Sequence, residues 1–302
     1  MTTLKKNDQS VFYMNKTITL FDEFQYFTGL TEIEASAFYG TSLQSIVLPP
    51  NITSIGNVAF NSNQIRSIVI PEGVTSLGNH AFTDCSQLEE VKLPKSLTTI
   101  GYDAFANTAI KHIFIPENVN RITPGAGSNI FYNCPNLASV AVDENNPKYD
   151  SRDNCMAIIE KPSKFLYGCK NSVIPEGITE LWSRAFHAAN ITSLVIPASV
   201  STIRSGAFLE NNLEALEMKR ETPIQFSTDM FSSGMTETAN CVLIVPQGKK
   251  TAYANAGWKS IADGGYFKEV VEADDTDRYD VNRDGTVDIS DVTKLVNEVL
   301  NR

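Results

Sequence analysis

The sequence predicts a repeat solenoid, mainly β with short helical or turn segments, that is followed by a separate loop and helix. Three observations lead to this fold class. One phrase of about 22 residues recurs through most of the chain, apolar and polar positions alternate within that phrase, and an acid-rich pattern of another kind begins near residue 272. Repeats of this length bury their apolar face only by stacking on neighbouring copies.

The repeat is clearest when "IRSIVIPEGVTSLGNHAF" is compared with "LEEVKLPKSLTTIGYDAF" and "ITSLVIPASVSTIRSGAF". The phenylalanine that ends each copy recurs in steps of 22, 22, 23, 26, 55, 22 and 23 residues, and the longest step fits two copies plus an insertion. About eight repeats of 22–23 residues are therefore predicted within residues 18–240, a period in the leucine-rich-repeat range. The repeat phenylalanines are Phe38, Phe60, Phe82, Phe105, Phe131, Phe186, Phe208 and Phe231.

Each copy is expected to begin with a short strand and to continue into a turn. In "IRSIVIP" the side chains of Ser67 and Val69 point outward, because successive residues of a strand point to opposite faces. Pro71 ends the strand because proline has no N–H to donate, and Gly78 opens a turn. The predicted core positions of this copy are Ile65, Ile68, Ile70, Val74, Leu77, Ala81 and Phe82.

Four segments depart from the repeat. Residues 1–17 precede it as a lead-in, and the glycine-rich stretch 123–129 is interpreted as a loop insertion because it lacks the Lys-Ser/Thr of a phosphate loop. In residues 143–175 two apolar runs, "CMAII" and "FLYG", flank "EKPSK", so we expect a hairpin that projects from the stack. Residues 241–271 are expected to form a cap, in which a last strand and a short helix with Trp258 cover the end of the core.

The five cysteines form neither a disulfide framework nor a zinc pattern. Cys85 and Cys134 lie three residues after repeat phenylalanines and two copies apart, which places their Cα atoms roughly 10 Å apart and beyond disulfide reach. Cys155 and Cys169 flank the expected hairpin, where a disulfide between them is an open alternative.

The stretch "DVNRDGTVDISD" near the C-terminus matches a calcium-binding loop of the EF-hand kind. Oxygen-bearing side chains fall at loop positions 1, 3, 5, 9 and 12, glycine fills position 6, where the chain must turn sharply, and position 7 offers a backbone carbonyl. Position 12 carries Asp where the common pattern has Glu. The sequence therefore predicts Ca²⁺ as a cofactor. The expected ligands are Asp280, Asn282, Asp284, Thr286, Asp288 and Asp291.

An acidic linker, residues 272–279, precedes the loop-helix segment, residues 280–302. Apolar residues after the loop recur at helical spacing, and Ser290 is available as an N-cap. This apolar stripe needs a partner, either the cap near Trp258 or a second molecule, and the charged, extended linker favours the second molecule. The stripe consists of Val292, Leu295, Val296, Val299 and Leu300.

The pattern L-x-x-I-x-I-P-x-x-V-x-x-I-G-x-x-A-F, the insert "NNPKYDS" and the ending "VPQGKKTAYANAGW" resemble the BspA-type leucine-rich repeats over roughly residues 18–271. The resemblance implies a secreted or surface protein of anaerobic gut and mouth bacteria, of a family implicated in adhesion and in binding host proteins. Residues 280–302 resemble half of a type I dockerin, the calcium module that binds cohesin domains. The sequence has no second copy of the loop, and position 10, used in cohesin recognition, is the apolar Ile289. The resemblance therefore favours calcium binding over cohesin binding.

Charge and hydropathy argue against several kinds of partner. The net charge is -10, and residues 269–302 carry ten acidic and four basic residues, so the acid is concentrated in the tail. Nucleic acid and anionic lipid are not expected to bind, because both need a basic surface. The sequence has no run of about 18 apolar residues, so it does not predict a transmembrane segment. The start "MTTLKKNDQSVFY" has no apolar h-region, so the chain is either cytoplasmic or numbered from after a removed export signal, and the resemblance favours a secreted or cell-surface protein.

No catalytic motif stands out. His80, His112 and His187 occupy different positions of the repeat and are not expected to converge. The sequence has no nucleophile elbow, zinc-ligand helix or dinucleotide loop. A pair of carboxylates brought together by the fold is the remaining route to catalysis, and we expect no enzymatic activity.

The central outward strand position of successive copies forms a ladder on the open face, with about 4.8 Å per rung. Solenoids use such faces for protein recognition. Valine and phenylalanine are also good strand formers, so these residues have a purely structural interpretation as well. The ladder, our expected ligand-binding face, consists of Val47, Val69, Lys92, Phe114, Ala141, Val195 and Glu217.

Together these features predict an exported or cell-surface repeat protein that recognises protein ligands without catalysis and carries a calcium-binding tail. The first alternative is a scaffold subunit docked into a multiprotein complex through the dockerin-like tail, with the C-terminal helix providing the docking or self-association contact. The second alternative is a carbohydrate-active enzyme.

Overall fold

The chain consists of two compact units that are built from short β-strands and turns. The N-terminal unit comprises residues 1–151 and 156–161, and the C-terminal unit comprises residues 152–155 and 162–302. Among the described residues, the one α-helix is α1, Lys250–Asn255. The computed structural model describes residues 5–6, 9–123, 129–231 and 238–273.

The strands of the N-terminal unit are two to four residues long. They are β1 Lys5–Lys6, β2 Gln9–Ser10, β3 Leu20–Phe21, β4 Glu32–Ile33, β5 Ser45–Ile46, β6 Ser54–Ile55, β7 Ser67–Val69, β8 Ser76–Leu77, β9 Glu90–Lys92, β10 Thr99–Ile100, β11 His112–Ile115, β12 Arg121–Ile122, β13 Ser139–Val142, β14 Tyr149–Asp150 and β15 Ala157–Glu160. Asp22–Tyr26 forms a 3-10 helix.

Each repeat of the N-terminal unit contributes one strand to each of two parallel ladders. The first strands pair as β3 with β5, β7 with β9 and β11 with β13, and backbone hydrogen bonds such as Lys111 N to Glu89 O continue the ladder between pairs. The second strands form one five-stranded sheet in the order β12-β10-β8-β6-β4. The register is constant, because Ser54 pairs with Ser76 and Ser76 with Thr99. The predicted mainly-β solenoid of stacked leucine-rich-repeat coils is therefore confirmed.

The core consists of the inward side chains of the coils. All core positions predicted for the copy from Ile65 to Phe82 are buried, whereas Ser67 and Val69 are exposed. The repeat phenylalanines are buried as well, and in the N-terminal unit their rings stack from Phe38 to Phe131 with centroid distances between 5.2 and 6.4 Å. Phe12 of the lead-in adds a further ring, 5.1 Å from that of Phe38, so the lead-in covers the first coil.

The turns of each coil place two residues in the left-handed region of backbone conformation. One precedes the core alanine, as Val58 does at φ 51°, and the other lies two residues after the phenylalanine, as Ser62 does at φ 60°. Neighbouring coils also approach closely at the turn glycine. A Cβ on Gly78 would lie 2.5 Å from the backbone nitrogen of Asn57, so only glycine fits there.

The slot three residues after each repeat phenylalanine holds a buried side chain that binds backbone carbonyls. Asn63 Nδ2 donates to Phe38 O at 2.7 Å and to Phe60 O at 2.8 Å. Cys85 fills the same slot in the next coil, where its Sγ donates to Phe60 O at 3.1 Å and burial raises its pKa to about 12. The slot residues therefore satisfy carbonyls that the strand ladders leave without a partner. The described cysteines are all free, Cys155 and Cys169 included, so no disulfide joins them.

The insertion, residues 143–175, contains strands at both predicted apolar runs, but they do not project from the stack. In the N-terminal unit β14 pairs antiparallel with β15, and Ile158 and Ile159 of β15 are buried. In the C-terminal unit β16 pairs in parallel with β17, and the buried Phe165 stacks on Phe186 at 5.0 Å. The expected projection from the stack is therefore wrong, because these apolar runs are buried, as is typical of continuous runs in strands that are covered on both faces.

The strands of the C-terminal unit again form parallel ladders. β16, β17 and β19 are adjacent, and the longer first strands follow the order β18-β20-β21-β22. The end of the unit is covered by α1 and by Trp258, which is buried and donates from Nε1 to Ile224 O at 2.7 Å. The strands are β16 Lys164–Gly168, β17 Glu180–Leu181, β18 Ser193–Ile196, β19 Thr202–Ile203, β20 Ala215–Met218, β21 Val242–Val245 and β22 Glu269–Glu272, and the 3-10 helices are Arg152–Asn154, Thr228–Met230 and Ile261–Asp263.

Candidate functional site: the outer strand face

The outer strand face of the N-terminal unit consists of the outward side chains of its first strands. The register brings these residues side by side, since Val69 pairs with Lys92 and Phe114 pairs with Ala141. Val47, Val69 and Phe114 expose 42%, 63% and 52% of their surface, so three large apolar side chains face solvent. Lys92 and Ala141 are also exposed. The structure thus brings together the five residues of the predicted ladder that belong to this unit.

A row of polar side chains lies next to this apolar row on the same strands. It includes His112, whose Nδ1 lies 2.8 Å from Ser139 Oγ. One residue before these strands, Lys111 Nζ pairs with Glu89 Oε2 at 2.5 Å, and the hydrogen bond and charge of Lys111 lower the pKa of Glu89. The face therefore has an exposed apolar row beside a polar row, a composition that suits a protein ligand.

The two ladder residues of the C-terminal unit differ from those of the N-terminal unit. Val195 is half-buried, and Glu217 exposes only 2% of its surface while its carboxylate pairs with Lys219 Nζ. The prediction that Glu217 lies on an open face is wrong. Its neighbours in register are the buried Ile244 and Val271, so the outer side of this sheet is a covered surface.

The predicted calcium ligands, Asp280, Asn282, Asp284, Thr286, Asp288 and Asp291, lie outside the described residues, as do the linker beyond Ala273 and the apolar stripe. Within the described parts of the chain, no group of three or more His, Cys, Asp and Glu side chains is arranged to hold a metal ion. In the same parts, no helix has both the length and the apolar composition needed to cross a membrane.

A shallow groove runs along second strands in each unit. The groove of the N-terminal unit has a volume of about 500 Å³ and is lined by small polar residues such as Ser54 and Ser76, with Glu32 as its only described acid. The groove of the C-terminal unit, about 720 Å³, has Asp229 as its only described acid. Neither provides the two carboxylates that most glycosidases use.

The histidines lie apart, as the repeat predicted, and the contact between His112 and Ser139 lies on the exposed outer strand face and not in a groove. His187 is buried, with Nε2 3.3 Å from Glu210 Oε1 and Nδ1 3.2 Å from an Arg184 nitrogen. Burial lowers the pKa of His187, and Glu210 only partly offsets this effect. His80 lies 4.0 Å from Asp103 and 3.3 Å from Thr83, in the turn that precedes Phe82. These contacts stabilise turns and do not assemble a catalytic group.

Comparison with known families identifies the repeat. The model described as "BspA type Leucine rich repeat region (6 copies)" matches residues 5–138 and 159–254, which is well over half of the chain. The chain belongs to the BspA-type leucine-rich-repeat family. Members of this family are generally repeat proteins without enzymatic activity, and leucine-rich-repeat proteins generally bind other proteins. No curated protein matches the sequence significantly.

Two solved structures are similar to this chain. A leucine rich cell surface protein from Faecalibacterium prausnitzii aligns with a TM-score of 0.53 and 21% identity, over 87% of this chain and 84% of the other. The pneumococcal vaccine antigen PcpA aligns with a TM-score of 0.48 and 15% identity, over 81% of this chain and 77% of the other.

Proposed function

We propose that this BspA-type protein is secreted or held at the cell surface, and that it binds a protein ligand through the outer strand face of its N-terminal unit, without catalysis. The observation that carries the proposal is the row of exposed apolar side chains at Val47, Val69 and Phe114. Stacked strands place these residues in one row, with Lys92 between Val69 and Phe114, and exposed apolar side chains in a row with polar neighbours are typical of recognition surfaces.

The strand-forming tendency of valine offers a simpler explanation for part of this row. It explains Phe114 less well, because a mid-strand phenylalanine that leaves 52% of its surface exposed loses much of the burial that a ring of this size could gain from the fold. Aromatic residues are enriched where one protein binds another, since their large rings bury much area at low entropic cost. Phe114 is therefore the residue expected to contribute most to ligand binding.

The surface location is supported by the family and by the description of the Faecalibacterium relative as a cell surface protein. Proteins of this kind contact ligands outside the cell, where free calcium is millimolar. A calcium-binding tail would be loaded there even with the weak affinity, on the order of 10⁻⁴ to 10⁻³ M, that extracellular calcium modules show.

The ligand proposal is tested by binding the full chain to a panel of immobilised extracellular matrix proteins and mucins, with and without calcium. The proposal predicts saturable binding to at least one protein of the panel. Binding to none of them, or binding only to polysaccharide, contradicts it.

The calcium proposal is tested separately by titration calorimetry of the full chain. One site is expected, and Asp284→Ala should remove it because a ligand at loop position 5 is lost. Asp277→Ala, which removes one acid from the linker, is the matched control and should leave the site intact. Absence of any binding at millimolar calcium contradicts this proposal.

A further inference from the structure

The groove of the C-terminal unit lies beside β19, where the ladder of second strands stops. In the sheet β14-β15-β16-β17-β19, β19 is an edge strand that pairs with β17 on one side. The second strands inside the N-terminal sheet are bonded on both sides, since Thr75 N donates to Thr53 O and Thr98 N donates to Thr75 O. On the groove side of β19, no described residue continues the ladder.

The backbone of β19 has hydrogen-bonding groups that face this groove. Arg204 N donates to Leu181 O, so Arg204 faces β17. Successive residues of a parallel strand direct their N–H and C=O groups to opposite sides, and the groups of Ile203 therefore point into the groove. Within the described parts of the chain, no backbone N–H donates to the carbonyls of Ser201 or Ile203. The groove thus borders a sheet edge with open acceptors.

The next copy of the repeat contains one extra residue at this point. Met218 lies 13 residues before the repeat phenylalanine of its copy, whereas its register partner Ile196 lies 12 residues before Phe208. Pro223 also stands in this stretch, and proline has no N–H with which to continue a ladder. Among the described residues, this copy has no second strand to place beside β19.

The cap binds the segment that would have formed this strand. Phe226 N donates to Ala256 O at 2.8 Å, and Trp258 Nε1 donates to Ile224 O at 2.7 Å. The chain returns to the preceding coil at Met230, whose carbonyl accepts from the backbone of that coil. The gap is therefore confined to the second strand, and the groove of about 720 Å³ is the space that it leaves.

The two walls of this groove differ in chemistry. The wall on the side of the sheet has hydroxyl side chains, and the opposite wall has apolar ones. A segment with alternating polar and apolar side chains would suit both walls, as the second strands of the repeat do. The hydroxyl residues are Ser183, Ser201, Thr202 and Ser205, and the apolar residues are Ile224, Phe226 and Met230.

We propose that this groove binds an extended segment of a partner protein, which pairs in parallel with β19 and continues the sheet. Carbonyls two residues apart on a strand are about 6.6 Å apart, and alternate N–H groups of an extended peptide have the same spacing. Peptides that add to a sheet edge gain affinity from main-chain hydrogen bonds and specificity from alternate side chains. The inference takes the ligand to be a protein, as the proposed function does, but it names a separate surface and does not depend on the outer strand face.

The repeat itself supplies a probe for this groove. In the N-terminal unit, Thr98 N and Gly101 N donate to the two carbonyls that flank Ser76 of β8. Ser76 holds the same position of the repeat as Thr202 of β19. A peptide with the sequence of residues 96–103, SLTTIGYD, should therefore place the same two N–H groups on the open carbonyls of β19.

Disulfide cross-linking to the full chain reports whether the peptide occupies the groove in register. The Thr99→Cys peptide is supplied as its glutathione disulfide, so that the thiolate of Thr202→Cys attacks the peptide sulfur and releases glutathione. Paired strands place the two Cα atoms about 4.8 Å apart, within disulfide reach. Ser76→Cys is the matched control, because strands flank β8 on both sides. We expect Thr202→Cys to cross-link at least about tenfold faster than Ser76→Cys by mass spectrometry. The native cysteines are buried and add little background.

Methylated peptides identify the main-chain contribution. Methyl groups on the backbone nitrogens of Thr98 and Gly101 remove both donors to β19, and cross-linking to Thr202→Cys should slow at least about fivefold. A methyl group on the nitrogen of Ile100, which points away from β19, is the matched control and should change the rate less than about twofold.

Three results overturn the proposal. Equal cross-linking rates at Thr202→Cys and Ser76→Cys show that the groove does not select the peptide. An unchanged rate after both donor nitrogens are methylated shows that the backbone of β19 is not recognised. Protection of Thr202→Cys from a small thiol reagent that modifies Ser76→Cys assigns the groove to another segment of the same chain. An unchanged melting temperature shows that both variants are folded. Because the peptide tests this groove alone, its failure is distinct from a failure of the outer strand face to bind a ligand.

Discussion

The rings of Phe60 and Phe82 stack with centroids 5.3 Å apart and planes 3° from parallel. Nearly parallel planes at this centroid distance correspond to the offset stacking that aromatic pairs favour. Phe60 N donates to Ala81 O and Phe82 N to Ala104 O, which holds successive rings in identical positions of successive coils. The column of rings is therefore a direct consequence of the coil-to-coil hydrogen bonds.

Removing one ring from the middle of this column should destabilise the N-terminal unit strongly. Phe82→Ala is expected to cost about 3–5 kcal/mol of unfolding free energy, because neighbouring rings cannot close the cavity. Val69→Thr, at an outward position that is 63% exposed, should cost less than about 0.5 kcal/mol. Chemical denaturation of both variants checks this, and equal losses would show that inside and outside have been misassigned.

The left-handed residue Val58 offers a stabilising substitution. Its φ of 51° is unfavourable for a β-branched side chain, at a cost of about 1–2 kcal/mol, while glycine adopts this conformation freely. Glycine loses more backbone entropy on folding than valine, and this cost offsets part of the gain. Val58→Gly should therefore raise the free energy of unfolding by up to about 1 kcal/mol. Val69→Gly, the control in an extended strand, should lower it by a similar amount. A loss of stability in both variants would contradict the claim that the backbone at Val58 is strained.

The buried slot at Asn63 should be sensitive to loss of its amide. Asn63→Ala leaves the carbonyl of Phe38 without its side-chain donor and that of Phe60 with only the weak donor Cys85 Sγ, at an expected cost of about 1–3 kcal/mol. The control is Asn51→Ala, because Asn51 makes one exposed hydrogen bond to Thr28 O and should cost less than about 0.5 kcal/mol. Similar melting temperatures for the two variants would refute the role of the slot.

The buried His187 predicts a loss of stability in acid. Its pKa is lowered in the folded protein, whereas in the unfolded chain it is about 6.5, so the unfolded state binds a proton first as the pH falls. Stability is therefore intact above about pH 6.5 and declines between this value and the lower pKa of the folded state. When the pH falls from about 7.5 to 5.5, the melting temperature of His187→Gln should fall less than that of the unmodified protein. The melting temperature of His112→Gln should fall as much as that of the unmodified protein. Identical pH profiles for all three proteins would argue against the prediction.

Much of the fold could be predicted from the sequence, because each position of the repeat occurs in several aligned copies. The period, the buried phenylalanines and the alternation around Val69 follow from aligned copies. The left-handed conformation of Val58 could not be predicted, since valine at that position gives no sign of positive φ. Two further stacked rings could not be predicted for another reason: Phe12 and Phe165 lie outside recognisable copies, yet Phe12 stacks on Phe38 and Phe165 stacks on Phe186.

The exposure expected from the repeat is observed at Val69 and Phe114 in the N-terminal unit and is wrong at Glu217. Position in the repeat assigned Glu217 to an open face, but the apolar neighbours Ile244 and Val271 make that part of the sheet a covered surface. The unbroken run "CVLIV" was the available signal, because a strand with one solvated face normally alternates. Because the repeat pattern stops at this run, the pattern alone predicts the start of a cap there.

The claim that the outer strand face binds the ligand is tested most directly by surface plasmon resonance with a panel protein that binds the full chain. Phe114→Ala with Lys92→Ala removes an aromatic ring and a charge from the face. The matched control, Tyr26→Ala with Lys95→Ala, removes an exposed aromatic side chain from the 3-10 helix Asp22–Tyr26 and an exposed lysine from the turn after β9. We expect the Phe114 and Lys92 variant to bind at least about fivefold more weakly, equivalent to about 1 kcal/mol, with an unchanged melting temperature. The control variant should bind as the unmodified protein does. Undiminished binding by the Phe114 and Lys92 variant would contradict it.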